Sequence, residues 1–523
     1  MRAWAAAHGR EALSLAALLV LALALRLYQV EAHPYPIAGD EASVGSEGRK
    51  ILTGELTNFF ETGWSSQPVW SFVPTALAVR LFGSTVFAVR VVGVATGTLT
   101  IAALYLLARE TFGRRVALLA AGFLVAFPFH LQFSRLGVNN VIDALLASAV
   151  LWLTFRAVRR GGLHDYLWAG LAAGATLYTY LGSRLALALA VGSLGYVSLR
   201  ERGYLRAHGR HLALFTFAAV VVAAPMAVFF LRHPDIFMAR INQEGILQNG
   251  WLARQAAAGA SVPGVLFEQF KRSALVYVTG TARSGFFNSP RPYLTSLAAV
   301  FFVLGMAYSL WRVREPRYFT LLVWFWAVVI LGSALTVNPP TSERLVMSIP
   351  AAALFVALGL VRTAQGLQRL GLLSAPVAAL LCVAAVALTN LQGAAFYFGD
   401  YRAGHYFADA SGELAFEASR EVIARGPGYR LYLLGEPRVF VGFPTFDYFL
   451  PGVEKYDLKA VSAGTLASPP RDQGAFLVAI PEYLADLERL AKLAPGGSWH
   501  SFPRQTRYEI LYYAYVLPRQ SWR

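Results

Sequence analysis

Two adjacent carboxylates, Asp40 and Glu41, stand in PYPIAGDEASVGSEGRK, directly after the first long apolar run. Acids there do nothing to anchor a chain in lipid, and a positioned carboxylate is the group that turns a hydroxyl into a nucleophile by taking its proton. Asp40 is read as that base; its competing role is the N-cap of a short helix over 41–53. Glu41 is placed in the catalytic pair, where it orients substrate, pairs with Arg26, or is simply solvated. Four arginines mark the edges of apolar runs: Arg26, Arg135, Arg184 and Arg344. They are read as donor-phosphate or site-orienting residues: Arg135 and Arg344 because a guanidinium fork matches the oxygens of a phosphate, Arg26 as fixing the geometry of the two carboxylates, and Arg184 as a secondary candidate, each against the plainer role of interfacial anchoring. Lys50, Gln67 and Tyr180 are further substrate contacts, the last in an aromatic run suited to stacking on a sugar or lining a lipid groove. His33, Asp40, Glu41 and His130 follow no metal-ligand spacing, so no metal is expected.

These residues need a membrane scaffold. The 523 residues are 56% hydrophobic and only 15% charged, with a mean hydropathy of +0.48, where soluble domains carry about a quarter charged residues. Apolar stretches of spanning length can be drawn at 12–31, 85–108, 116–133, 141–157, 164–182, 185–199, 211–231, 292–311, 318–336, 345–361 and 371–389, about eleven in all. The connections 109–115, 156–160, 200–210 and 312–317 carry three, three, four and three arginines. The alternate connections hold about one each, which puts the Arg-rich set and the N-terminus in the cytoplasm of a plasma (inner) membrane protein and the Asp40 loop outside. The net charge of +16 is spread over inner loops instead of forming one patch, so it argues for lipid headgroups and topology and against nucleic acid. The single cysteine, Cys382, lies within an apolar run and excludes an intrachain disulfide. The first run reaches Arg26 without a small-residue cleavage site and is read as a retained span.

Past residue 390 the pattern changes. Segments 429–437, 475–497 and 508–518 read as strand, strand plus amphipathic helix, and strand. The expected organisation is a transmembrane domain over 1–389, with outer loops 32–84 and 232–290, followed by an extracytoplasmic α/β domain over 390–523. The 232–290 loop, with RINQEGILQNGW and TARSGFFNSPRPY, is too long to be structureless and is expected to hold short interfacial helices. The stretch 65–83, broken by Pro68 and Pro74, is expected to lie along the interface.

The order of Arg26, the GDE motif, a Pro-containing segment ending in LFG, Arg90 in the next span, the LARETFGRR turn, and a Pro128-to-Ser134–Arg135 stretch with a following Asp resembles the GT-C membrane glycosyltransferases. Within them it is similar to the protein O-mannosyltransferase and aminoarabinose-transferase group. Many relatives have His-Pro-Pro where this chain has Gln67–Pro68–Val69. The resemblance covers residues 12–160 in detail. It implies a polytopic α-helical fold and inverting transfer of a hexosyl or pentosyl group from a polyprenyl-phosphate sugar to a hydroxyl on a protein, lipid or polysaccharide. Some GT-C enzymes use a divalent metal, but no metal is assigned here. No Gly-rich phosphate loop is present, as would suit a soluble nucleotide sugar. The alternatives are a transporter of lipid-linked precursors, which would place charges near the bilayer midplane and repeat its halves, and a non-catalytic assembly subunit, in which Asp40→Asn would be silent.

Overall fold

The computed structural model describes residues 2–282, 284–404, 407, 410–459, 473–505 and 509–519. The chain forms two compact units: Met1–Val30, Gly54–Pro74 and Arg90–Tyr406 make the first, and Glu31–Thr53, Thr75–Val89 and Phe407–Arg523 the second. The loop that carries Asp40 thus groups with the end of the chain. The sequence boundary at 389/390 falls inside the helix Ala375–Ala395, which continues through a π-helical turn to Tyr401. Apolarity fades near 389, but loss of apolarity does not by itself end a helix.

Among the described residues, seven helical stretches are long and apolar enough to cross a membrane: Val86–Thr111, Val141–Arg160, Leu181–Arg200, Tyr204–Arg232, Pro316–Ala334, Ser342–Arg369 and Ala375–Tyr401. The first expected span, 12–31, begins inside the helix Arg2–Leu27 and runs past its end into a turn. Three others differ from expectation for local reasons. Residues 116–133 form two helices, Arg114–Leu124 and Pro128–Phe133, because Pro128 has no amide for the preceding turn and starts a new helix instead. Residues 164–182 form a helix only to Ala175 before two 3-10 turns. The 292–311 run begins its helix at Ser296, past Pro290 and Pro292, where the Thr295 hydroxyl accepts the Ala298 amide. The 232–290 loop folds into helices Pro234–Glu244, Trp251–Ala257 and Val262–Leu275.

The first unit is organised around Ser342–Arg369, 94% buried over its apolar window. Small residues set the helix contacts. A Cβ on Gly359 would lie 2.0 Å from the Phe301 carbonyl and one on Gly305 1.9 Å from that of Phe355. Gly170 and Gly174 meet the Phe215 and Ala219 carbonyls in the same way, at 2.3 and 2.4 Å. Such backbone approaches are how helices pack where lipid removes the hydrophobic drive.

The second unit contains a five-stranded sheet of order β2-β1-β3-β5-β4, with β1 Tyr429–Leu434, β2 Lys455–Asp457, β3 Gly474–Ala479, β4 Ser498–Pro503 and β5 Ile510–Leu517. β1 runs parallel to both β2 and β3, while β5 is antiparallel to β3 and β4. Both faces of β3 and of Leu431–Leu434 in β1 are buried, giving these stretches their unbroken apolar runs. On one face Leu431, Leu433, Phe476 and Val478 pack with residues of the helices Ala410–Ala424 and Pro444–Phe449. On the other Tyr432, Leu434 and Leu477 pack with Leu487 and Leu490 of the helix Leu484–Leu493.

Candidate functional site

Asp40 and Glu41 open the helix Gly39–Thr53. The Ala38 carbonyl accepts the Ala42 amide, so Ala38 caps the helix, and Oε2 of Glu41 reaches back to the Ala38 amide at 2.9 Å. This is the acidic half of a capping box. Glu41 is fully buried and holds the helix entry, which rules out its expected alternative of a simply solvated carboxylate. Asp40, one position earlier, is half-buried in the first turn, where helix amides favour a negative charge. Asp40 is inside the helix, so the N-cap role read from the sequence belongs to Ala38.

Two glycines let this helix pack closely within its unit. A Cβ on Gly45 would lie 2.5 Å from the Tyr448 ring and one on Gly48 2.9 Å from the Ala76 amide nitrogen. Arg49 donates to the Tyr448 carbonyl at 3.2 Å, and the Tyr448 hydroxyl donates to the Thr85 carbonyl at 2.9 Å. Lys50 pairs with Glu47 at 2.7 Å one turn earlier.

Three arginines of the membrane unit are fully buried on main-chain carbonyls. Arg26 donates to Ala22, Leu124 and Val125, and its Nη2 donates to Nδ1 of His130 at 2.9 Å. Arg135 donates to the carbonyls of Leu25, Arg26, Tyr28 and Gln29 between 2.7 and 3.3 Å, closing the end of Arg2–Leu27 where Gln29 turns into the left-handed region. Arg90 donates to Val30 at 2.8 Å. A cation on the orphan carbonyls of a helix end is favourable both as a hydrogen-bond donor and against the dipole. The terminal nitrogens of Arg26 and Arg135 are thus engaged on carbonyls and, for Arg26, on the His130 ring, while Nε of Arg26 has no hydrogen-bond partner among the described residues. Gln67 is likewise occupied: it is buried and accepts the Asn139 side-chain amide at 2.8 Å.

Tyr180, Arg184 and Arg344 come together. They line a cavity of about 450 Å³ with Arg240, Glu244 and Gln248 from the loop after Arg232. Its remaining wall is largely apolar and includes Leu185, Phe237, Ile241, Leu331 and Leu335. Asp143 positions one side: its Oδ1 accepts the Ser183 hydroxyl at 2.5 Å, and Gly182 has no room for a Cβ beside Oδ2, 2.0 Å away. That contact fixes the turn between Tyr180 and Arg184. The opposite side is pinned by the backbone, as the Ile246 amide donates to Leu335 and the Val337 amide to Glu244.

The cavity's charges are unequally satisfied. Glu244 pairs with Arg344 at 2.7 Å and with Arg240 at 3.5 Å. The Arg184 guanidinium lies over the Phe230 and Phe237 rings at 4.4 and 4.6 Å. Among the described residues, its Nε and Nη1, and Nη1 of Arg344, have no hydrogen-bond partner. An apolar cavity with buried cationic donors left over can hold an anionic head on an apolar chain. Among the described residues no three His, Cys, Asp or Glu side chains gather closely enough to hold a metal.

The description "dolichyl-phosphate-mannose-protein mannosyltransferase" belongs to the family model that matches residues 66–229. Over nearly the whole chain the fold is similar to ArnT from Cupriavidus metallidurans bound to undecaprenyl phosphate, with a TM-score of 0.55, 17% identity, and 97% of this chain and 98% of that one covered. It is also similar to the Archaeoglobus fulgidus oligosaccharyltransferase in the apo form, with a TM-score of 0.54, 12% identity, and coverage of 96% and 74%. The same enzyme, AglB, in complex with an inhibitory peptide and a dolichol-phosphate gives 0.53 at 13% identity, with coverage of 96% and 74%. The chain has the GT-C fold. No curated protein matches the sequence. Within the GT-C chain, the matched stretch 66–229 contains Gln67, Arg135, Tyr180 and Arg184, whereas Asp40, Arg240, Glu244 and Arg344 lie outside it. Arg240 and Glu244, absent from the residues singled out in the sequence, belong to the polar cluster RINQEGILQNGW of the 232–290 loop.

Proposed function

We propose that this chain is a multi-pass membrane glycosyltransferase of the plasma (inner) membrane that moves a hexosyl or pentosyl group, with inversion, from a polyprenyl phosphate to an acceptor hydroxyl on the outer face. The observation that carries this reading is the Arg184–Arg240–Arg344 cavity, whose apolar wall and unbonded guanidinium donors suit a lipid phosphate. The matched family's description and the lipids bound in the similar structures, undecaprenyl phosphate and dolichol-phosphate, agree with it.

In the proposed reaction Asp40 takes the acceptor's hydroxyl proton, and the oxygen attacks the anomeric carbon. The bond from that carbon to the phosphate oxygen breaks, and polyprenyl phosphate leaves with the electron pair. Stabilising that anion is the arginines' task, worth more in a dry site than in water. Glu41 holds the helix that presents Asp40, Tyr180 lines the donor cavity, and Arg26 and Arg135 position the scaffold. The acceptor is a protein, lipid or polysaccharide hydroxyl, and the reaction draws on no metal.

Mass spectrometry of lipids that co-purify with the wild type, Asp40→Asn and Arg184→Ala tests the reading. A polyprenyl-phosphate sugar enriched on Asp40→Asn and depleted on Arg184→Ala is expected. Only bulk phospholipid on all three would overturn it in favour of a non-catalytic subunit, and full transfer activity in Asp40→Asn would overturn the assignment of the base.

A further inference from the structure

The second unit carries a crevice that the transfer chemistry does not use. β1 is flanked by two parallel neighbours, β2 and β3. The chain leaving β1 crosses the sheet face covered by the helix Pro444–Phe449, and the chain leaving β3 enters the helix Leu484–Leu493 on the opposite face. Two parallel strands whose connections diverge leave a gap beyond their carboxyl ends, and ligands of open α/β sheets bind there.

The gap is present as a pocket of about 380 Å³ lined by Leu434, Glu436, Pro437, Leu458, Lys459, Tyr483 and Asp486. Its floor is tied together by backbone bonds, Leu458 to Leu433 at 2.8 Å and Ile480 to Leu434 at 3.1 Å. Gly435 makes the turn out of β1 possible, since a Cβ there would lie 2.6 Å from the Val439 carbonyl. The Tyr483 hydroxyl donates to the Glu436 carbonyl at 2.9 Å, which fixes that ring at the pocket wall. Lys459 lies 3.4 Å from the Glu436 carboxylate.

We propose that this crevice is a binding site for a neutral or amino sugar of one or two residues. Carboxylates of Glu436 and Asp486 accept vicinal hydroxyls or an amine, while Leu434, Pro437, Leu458 and the Tyr483 ring face the sugar's C–H surfaces. Glu436 is matched by Lys459 and Asp486 by Arg489 at 3.3 Å, so among the described residues no cation is left over for a phosphate, which separates this site from the arginine cavity. The volume lies toward the small end of the roughly 300–1,000 Å³ range of ligand pockets, as a short saccharide requires. The inference stands independently of the transferase reading.

The test is saturation-transfer NMR on the full chain in a detergent without a sugar headgroup, with D-mannose, D-galactose, D-glucosamine and N-acetyl-D-glucosamine as probes and glucose 6-phosphate as control. Transfer to at least one of the four sugars and none to the phosphate is expected. In a Glu436→Gln/Asp486→Asn double variant of unchanged melting temperature, affinity should fall about tenfold, the loss of one charge-assisted hydrogen bond. Asp486→Lys should abolish transfer. Silence from all four sugars, or equal transfer from the double variant, would overturn the proposal. Asp40→Asn should bind as the wild type does, so failure here and failure of the transferase reading are distinct results.

Discussion

Arginine serves two opposite purposes within the membrane unit. Arg26, Arg90 and Arg135 are fully buried and donate to main-chain carbonyls. Arg184 and Arg344 line a cavity and retain unbonded donors there. The first group satisfies carbonyls at chain turns and helix ends, at the cost of burying a cation; the second holds charge in reserve for a ligand. What distinguishes them is whether peptide oxygens already fill the guanidinium's fork.

The sharpest way to break this comparison is to remove the scaffold cations. Arg135→Ala leaves four carbonyls short of a donor and should cost about 3–5 kcal/mol, as breaking buried charged interactions does. Arg135→Lys should rescue little, because one ammonium cannot reproduce the planar fork. Thermal unfolding in detergent reads both variants, and added polyprenyl phosphate should not restore either. Asp40→Asn should leave the melting temperature in place and reduce transfer by about 10²–10⁴-fold, the usual contribution of a general base. Its neighbour gives the contrasting result: Glu41→Ala removes a cap from a buried helix entry and should cost about 0.5–2 kcal/mol. Glu41→Gln, which can still accept the Ala38 amide, should recover most of that stability and most of the activity of the folded protein. The smallest effect is expected of Lys50→Ala, whose half-exposed ammonium pairs with the buried Glu47 carboxylate and is worth about 1 kcal/mol.

The two groups of arginines also show how far the sequence could be read. That Arg26, Arg135, Arg184 and Arg344 sit at the edges of apolar runs follows from hydropathy, and so does the multi-pass architecture. Their division does not, because carbonyl partners such as Leu124 or Tyr28 have no signature in residue type. Asp40 and Glu41 were equally visible as a pair, but which acid turns inward is decided by helix phase: a one-residue step rotates the side chain by about 100° and buries Glu41. Where Pro128 and the Thr176–Tyr178 turn interrupt an apolar run the helices are shorter than the runs, since hydropathy registers composition and not backbone breaks. β1, β3 and β5 correspond to segments visible as strands, while the three-residue β2 and the exposed β4 lack the apolar pattern that marks a strand. Arg240 and Glu244 entered the site through tertiary folding of the 232–290 loop, and only the polarity of that loop announced them.

The central claim is that the Arg184 cavity receives a lipid phosphate, and titration of undecaprenyl phosphate into the wild type and Arg184→Ala tests it most directly. Loss of one charge-assisted contact of about 1.5–3 kcal/mol predicts affinity weakened about 10- to 150-fold, with the melting temperature of the lipid-free protein nearly unchanged. Equal affinity in the two proteins would contradict the account and leave Arg184, like Arg135, a part of the scaffold.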